Sequence, residues 1–134
     1  MKNLRAQIVP VLFAILVLDG CSGSAGHGAA ISDQAFKQAT DAPGVLVVDF
    51  WATWCGPCMA MKPVVEQAEK DYAGKIRFLS VDVDENKSLA NQFEIQAIPN
   101  FIVFKDGKKV DARVGGMNPA DFKKWLDGFL TPGK

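Results

Sequence analysis

The residues in this chain best suited to chemistry are Cys55 and Cys58, which flank the dipeptide Gly56-Pro57. Their spacing allows the two sulfurs to form and break a disulfide within one helical turn. A disulfide that closes a loop of about four residues stabilises a fold by only ~2 kcal/mol in the chain-entropy model, so a purely structural disulfide is a weak alternative. The pair therefore predicts a redox disulfide between Cys55 and Cys58.

A zinc site is the other chemical role that such a pair of cysteines can have. A structural zinc site needs four ligands, and the sequence contains no second pair of cysteines at the required spacing. The remaining candidates, Cys21 and His27, lie in an N-terminal segment that we expect not to fold. We therefore predict that the protein uses neither a metal nor another cofactor.

The sequence on either side of the pair predicts the elements that position it. Residues 45–51 (VLVVDFW) are apolar except for Asp49, which favours a strand buried on both faces. A helix should begin at Cys55, because Pro57 has no N–H to lose in a first helical turn. The N–H groups and partial positive charge at a helix N-terminus favour a thiolate. We therefore expect Cys55 to be the exposed nucleophile and Cys58 the resolving thiol.

The beginning of the chain has the pattern of a bacterial export signal. Lys2 and Arg5 precede an apolar run at 8–18. That run is too short to span a bilayer, which needs about 20 residues, but it fits the apolar part of a signal peptide. We therefore predict a signal peptide at residues 1–20.

The segment 18–21 (LDGC) that follows resembles the lipobox of bacterial lipoproteins, although Asp19 stands where a small residue is usual. We predict that Cys21 is lipidated and that residues 21–29 form a flexible tether, because the segment after Cys21 is small and polar. Ordinary signal cleavage near 25–30 and an uncleaved interfacial anchor are the alternatives.

Charge and cysteine usage bear on the partners and the compartment. The chain carries 15 basic and 15 acidic residues, and loss of Lys2, Arg5 and Asp19 with the signal would leave a net charge of −1. This balance disfavours nucleic-acid binding, which needs a basic surplus. No cysteine is left over as a stray thiol, as is typical of an oxidising compartment. We predict a lipid-anchored protein of the cell envelope that faces the periplasm, with a soluble periplasmic or secreted protein as the alternative.

Residues 30–134 are predicted to form one domain. Hydrophobic spacing and turn residues indicate helices at 32–40, 58–72, 88–93 and from 118, and strands at 45–51, 76–83, 101–104 and 109–114. Asp106-Gly107 between the last two strands indicates a hairpin. Helical crossovers imply parallel strands, and the hairpin adds an antiparallel edge. We therefore predict an α/β fold with a single mixed sheet of four or five strands and helices on both faces.

From about Ile31 to Leu130 the chain resembles the thioredoxin family. The segment 48–58 (VDFWATWCGPC) is similar to the active-site motif of the family, and Ile98-Pro99 is similar to its cis-proline loop. The hairpin at 104–107 (FKDG) and the glycine turn at 114–116 (VGG) follow in the order of the family. Several separated motifs in the right order are more specific than a lone pair of cysteines. The resemblance implies a thioredoxin fold.

The resemblance also implies a role for each matching residue. Cys55 would attack a substrate disulfide and Cys58 would resolve the mixed disulfide. Asp49 would lie buried beneath Cys58 and accept its proton through water, with a purely structural polar role as the alternative. Pro99 would be cis and would lie beside the cysteines as part of the catalytic site. The surface that docks the substrate would consist of Trp54, Gly56, Pro57, Ile98 and Gly115.

Three positions depart from the pattern of the family. Ser80 stands where the family commonly has a lysine beside the buried carboxylate. Asp49 would then lack an ammonium partner, and its pKa should rise further. Asn100 replaces the threonine that usually follows the cis proline, and Met59 replaces a common lysine after Cys58.

Together these observations predict a thiol–disulfide oxidoreductase that reduces protein disulfides outside the cytoplasm. Its partners would be disulfide-containing proteins and a membrane thiol reductase that acts as electron donor. We expect a monomer attached to the membrane through the lipid on Cys21. A disulfide oxidase or isomerase, or a reductase of the cytochrome-maturation type, is the alternative. A non-enzymatic binding module of the same fold is a second alternative.

Overall fold

The structure, a computed structural model, describes residues 30–131. The predicted signal peptide, the lipidated Cys21 and the tether lie outside these residues. The elements in chain order are α1 (Asp33–Asp41), β1 (Val45–Trp51), α2 (Gly56–Asp71), β2 (Ile76–Asp82), α3 (Lys87–Gln92), β3 (Asn100–Lys105), β4 (Lys108–Val114) and α4 (Pro119–Leu130). This order confirms the prediction. Among the helices of the described part, none is long and apolar enough to cross a membrane.

The four strands of residues 30–131 form one mixed sheet in the order β2-β1-β3-β4. β1 pairs with β2 in parallel, and β3 is antiparallel to both β1 and β4. The prediction that helical crossovers make the first three strands parallel is therefore wrong for β3. The physical reason is the length of α3, whose six residues rise only ~9 Å, whereas a seven-residue strand spans ~23 Å. α3 does not carry the chain back to the far edge of the sheet, and β3 starts at the edge where β1 and β2 end.

Helices cover both faces of the sheet, as predicted. Side chains alternate along β1, so Val45 and Val47 face one core and Leu46, Val48 and Phe50 face the other. The first core is completed by α2 and α4, and the second by α1 and α3. On the apolar face of α4, Phe122 and Leu126 are fully buried, whereas Trp125 and Phe129 are half-buried at its margin.

Local signals explain where several elements begin and turn. The Ser32 hydroxyl accepts the Ala35 N–H at the start of α1, and the Asn118 side chain accepts the Asp121 N–H at the start of α4. Asp106 and Gly107 both have positive φ, 51° and 82°, as a tight hairpin between β3 and β4 requires. The hairpin lies at the end of the sheet where β1 begins, opposite the end where β1 leads into the cysteines.

Candidate active site

Cys55 and Cys58 form a disulfide at the point where β1 passes into α2. Their Cα atoms are 5.2 Å apart. Cys55 is the N-cap of α2, so the helix begins at the cysteine as expected, and its first residue, Gly56, lies two residues before the start of the predicted range 58–72. The Cys55 sulfur accepts the N–H of Cys58 at 3.2 Å. The first turn of the helix therefore aims a donor and its partial positive charge at Cys55, which favours the thiolate when the disulfide is reduced.

The expectation that Cys55 is exposed is wrong for this disulfide form. Both cysteines are only 5% exposed, because they pack with Trp51 and Ala52 and are flanked by Ile98. The surface around them is formed instead by exposed neighbours. Trp54 is 69% exposed, and Gly56 and Pro57 between the sulfurs are also exposed. The disulfide therefore lies just beneath a rim that a partner can contact.

The loop before β3 brings a second segment to the disulfide. The Ile98-Pro99 peptide bond is cis, as the resemblance implied, and Pro99 is buried. Ile98 packs against the cluster that contains both cysteines. The Gly115 N–H donates to the Pro99 carbonyl at 2.8 Å and so ties a third segment to this loop. The structure thus brings together the three segments that contain the predicted docking residues.

One contact at the rim was missed by the sequence analysis. The indole Nε1 of Trp54 donates to the Asp84 carboxylate at 2.7 Å, and the Asp84 N–H donates to Asp82. Asp84 follows β2, whose end lies at the same edge of the sheet as the end of β1. The acidic residues at the end of β2 could have indicated this contact. Parallel strands end at the same edge of a sheet, so these residues were expected near the end of β1 and Trp54.

A small cavity lies beneath Cys58 and contains the predicted carboxylate. Its volume is about 10 Å³, and its lining includes Asp49, Cys58, Lys62 and Ser80. A volume of this size holds about one water molecule. The Oδ1 atom of Asp49 is buried and has no hydrogen-bond partner among the described residues. The cavity therefore places the carboxylate where one bridging water would reach the resolving cysteine.

Burial controls the charge of Asp49. Desolvation, followed by the negative charge of Glu69, raises the pKa of Asp49 from 3.8 to about 7. Ser80 lies opposite Asp49 in the β1–β2 register. It therefore occupies the position beside the carboxylate where the family commonly has a lysine. Lys62 on α2 lines the same cavity, a position that the comparison of Ser80 with the family does not reveal. A carboxyl group with a pKa near neutrality can both accept and release a proton under physiological conditions.

The described residues offer no alternative metal chemistry at this site. Within residues 30–131, no group of three or more His, Cys, Asp or Glu side chains could hold a metal ion.

Comparison with known proteins shows similarity to thioredoxins along most of the chain. The sequence profile of the Thioredoxin family matches residues 28–128. A thioredoxin of Staphylococcus aureus is 46% identical over 100 residues, which cover 75% of this chain and 95% of the relative. A thioredoxin of Staphylococcus haemolyticus is 47% identical over the same shares. The chain belongs to the thioredoxin family.

Solved structures show that the thioredoxin fold is shared as well. The thioredoxin of Malassezia sympodialis matches with a TM-score of 0.69 and 42% identity, covering 75% of this chain and 89% of that one. A mutant thioredoxin from Halobacterium salinarum matches with a TM-score of 0.71 and 27% identity, over 79% and 92% of the two chains. With its cysteines joined in a disulfide, this member of the family is a disulfide oxidoreductase.

Proposed function

We propose that this thioredoxin-family protein reduces protein disulfides through the Cys55-Cys58 dithiol. The Cys55 thiolate attacks one sulfur of a substrate disulfide, and the other substrate sulfur leaves as a thiolate. Cys58 then loses its proton and attacks the Cys55 sulfur of the mixed disulfide. The substrate sulfur that was bonded to Cys55 leaves as a thiolate. The protein then holds a Cys55-Cys58 disulfide, and two electrons have passed to the substrate.

The observation that carries this proposal is the asymmetry between the two cysteines. The Cys55 sulfur faces the N-terminus of α2 and accepts the Cys58 N–H, so it is the sulfur that the helix stabilises as an anion. Cys58 lines the cavity that contains Asp49. Because burial raises the pKa of Asp49 to about 7, its carboxylate can take the Cys58 proton through one water and later release it.

The rim around the disulfide supports docking of an extended substrate segment. Trp54, Gly56 and Pro57 are exposed on one side of the sulfurs. Ile98, the residue before the cis proline, and Gly115 border the other side. Backbone groups beside Pro99 would pair with the substrate in the manner of an added strand, while Trp54 contacts its side chains.

Reduction of insulin by dithiothreitol tests the proposed reaction. The protein should accelerate precipitation of the insulin B chain, and Cys55→Ser should abolish this acceleration. Reduced Cys58→Ser, incubated with insulin after the dithiothreitol has been removed, should instead accumulate a mixed disulfide between Cys55 and the substrate, visible on a non-reducing gel. Equal trapping by Cys55→Ser and Cys58→Ser would contradict the assigned roles. A reduction potential near −270 mV fits a reductase, whereas a value near −180 mV or above would indicate an oxidase or isomerase.

We further propose that the protein works in the cell envelope, anchored through a lipid on Cys21 and recharged by a membrane thiol reductase. The family match begins at residue 28, so the segment with the export pattern precedes it. An envelope location would require an electron donor that crosses the membrane, because cytoplasmic reductants do not reach it. Incorporation of labelled palmitate should be lost in Cys21→Ala, with Cys58→Ala as the matched control. Equal labelling of both variants would exclude the lipid anchor.

A further inference from the structure

Met61 is a buried methionine that links the cysteine helix to the segment 115–117. It lies three residues after Cys58 on α2, so the two side chains share one face of the helix. Met61 is 3% exposed and belongs to the core between the sheet, α2 and α4. Its sulfur accepts the backbone N–H of Met117 at 3.2 Å. A buried thioether thus satisfies a backbone donor 56 residues away in the chain.

The segment 115–117 is short and is held on both sides of that hydrogen bond. The Gly115 N–H donates to the Pro99 carbonyl at 2.8 Å, which ties the beginning of the segment to the cis-proline loop. Asn118 follows directly and caps α4 through the Asp121 N–H. Because Asn118 is held by its cap on α4, we expect a shift at Met117 to act on the two residues before it, which lead back to Gly115 and the cis-proline loop.

A thioether can accept a hydrogen bond, and this ability separates methionine from the other apolar residues that would fit at position 61. A leucine would fill a similar volume and fit the same core, but it has no atom that accepts a hydrogen bond. The Met117 N–H would then be left without its partner, and the segment would turn to give that donor to water. The flexible, unbranched side chain of methionine reaches the amide and still packs against the core.

From these contacts we propose that Met61 is a positioning residue for substrate docking. It belongs to a different core cluster from the two cysteines and takes no part in the exchange of their sulfurs. Its sulfur fixes the 115–117 segment relative to Cys58, so that Gly115 and the cis-proline loop together present a preformed edge to the incoming chain. The proposal rests on the proposed reduction of protein disulfides, because it assigns Gly115 to the docking surface of that reaction.

Steady-state kinetics of the full chain and of Met61→Leu test the proposal with two substrates. Insulin needs the docking surface, whereas 5,5′-dithiobis(2-nitrobenzoate), a small disulfide, reaches the sulfurs without it. Met61→Leu should raise KM for insulin about 2- to 10-fold, the effect of losing one hydrogen bond, with kcat unchanged. The rate with the small disulfide should stay at the wild-type value.

A matched control separates positioning from a general loosening of the core. Val103→Ala removes buried volume from the same core at the middle of β3, away from the 115–117 segment. It should lower stability and leave KM for insulin unchanged. A wild-type KM in Met61→Leu would overturn the proposal, and so would an equal loss with both disulfides or an equal rise of KM in Val103→Ala.

Hydrogen exchange of the Met117 amide gives a readout that does not depend on activity. The amide should be protected in the wild-type chain and should exchange faster in Met61→Leu. Exchange at the rate of a free peptide in the wild type would overturn the proposal even if the variant did not fold. Failure of the wild-type protein to reduce insulin, with a protected Met117 amide, would instead overturn the proposed reaction and the docking role with it.

Discussion

Replacing Asp49 with asparagine should stabilise the oxidised protein above neutral pH. Burial raises the pKa of Asp49 from 3.8 to about 7. The folded protein therefore binds this proton more tightly than the unfolded chain, and folding becomes less favourable as the pH rises between those two values. The asparagine side chain in Asp49→Asn would carry no charge, so the variant should lose this part of the pH dependence.

The size of the effect follows from the pKa values. Each pKa unit corresponds to about 1.4 kcal/mol, so ionised Asp49 costs the folded state about 4 kcal/mol relative to the unfolded chain. The folded state does not bear this cost below about pH 4, where Asp49 is protonated in both states. It bears the full cost by about pH 8, where Asp49 is ionised in both states. The difference in unfolding free energy between Asp49→Asn and wild type should therefore grow by about 4 kcal/mol over that interval.

Urea unfolding at a series of pH values, followed by tryptophan fluorescence, measures this difference. Both proteins are kept oxidised so that cysteine titration does not contribute. Glu85→Gln is a suitable control, because Glu85 is exposed and its substitution should leave the pH dependence of the wild type nearly unchanged. Parallel stability curves for wild type and Asp49→Asn between pH 4 and pH 8 would refute the reasoning, since they would mean that Asp49 ionises at the same pH in both states.

Three further changes test other parts of the structure. Ser80→Lys would place an ammonium opposite Asp49 and lower the pKa of Asp49, so the loss of stability between pH 4 and pH 8 should shrink; a urea series indistinguishable from wild type would contradict this coupling. Asp84→Ala removes the acceptor of the Trp54 indole and should raise KM for insulin about 2- to 10-fold in steady-state assays, with an unchanged KM counting against a docking role for that ring. Phe101→Ala empties the centre of the core and should cost about 3–5 kcal/mol in urea unfolding; a loss below about 1 kcal/mol would show that the core can collapse around the gap.

Sequence patterns predicted those parts of the fold that depend on neighbouring residues. The boundaries of β1 were correct to the residue, because an apolar run with a single Asp is typical of a central strand. The Asp106-Gly107 hairpin was also confirmed, and the helices predicted from 32 and from 118 begin one residue later because Ser32 and Asn118 are their N-caps.

Features that depend on distant parts of the chain were not predictable in this way. The direction of β3 depends on the path of the chain between β2 and β3, which residue patterns in the strands do not contain. The burial of Cys55 depends on packing against Trp51 and on the approach of Ile98 from another loop. The hydrogen bond from Met117 to the Met61 sulfur joins two apolar residues that no polar motif marks.

The point at which the described chain enters the domain has a consequence for orientation. The N–H of Ile31 donates to the Asn86 side chain at 2.8 Å, and Asn86 belongs to the same turn after β2 as Asp84, the partner of the Trp54 indole. The chain therefore arrives at the edge of the sheet where the cysteines lie. An anchor placed ahead of this point would keep that edge within the reach of the linking segment from the surface to which it is fixed. The length of the linking segment would then limit which molecules fit between that surface and the disulfide.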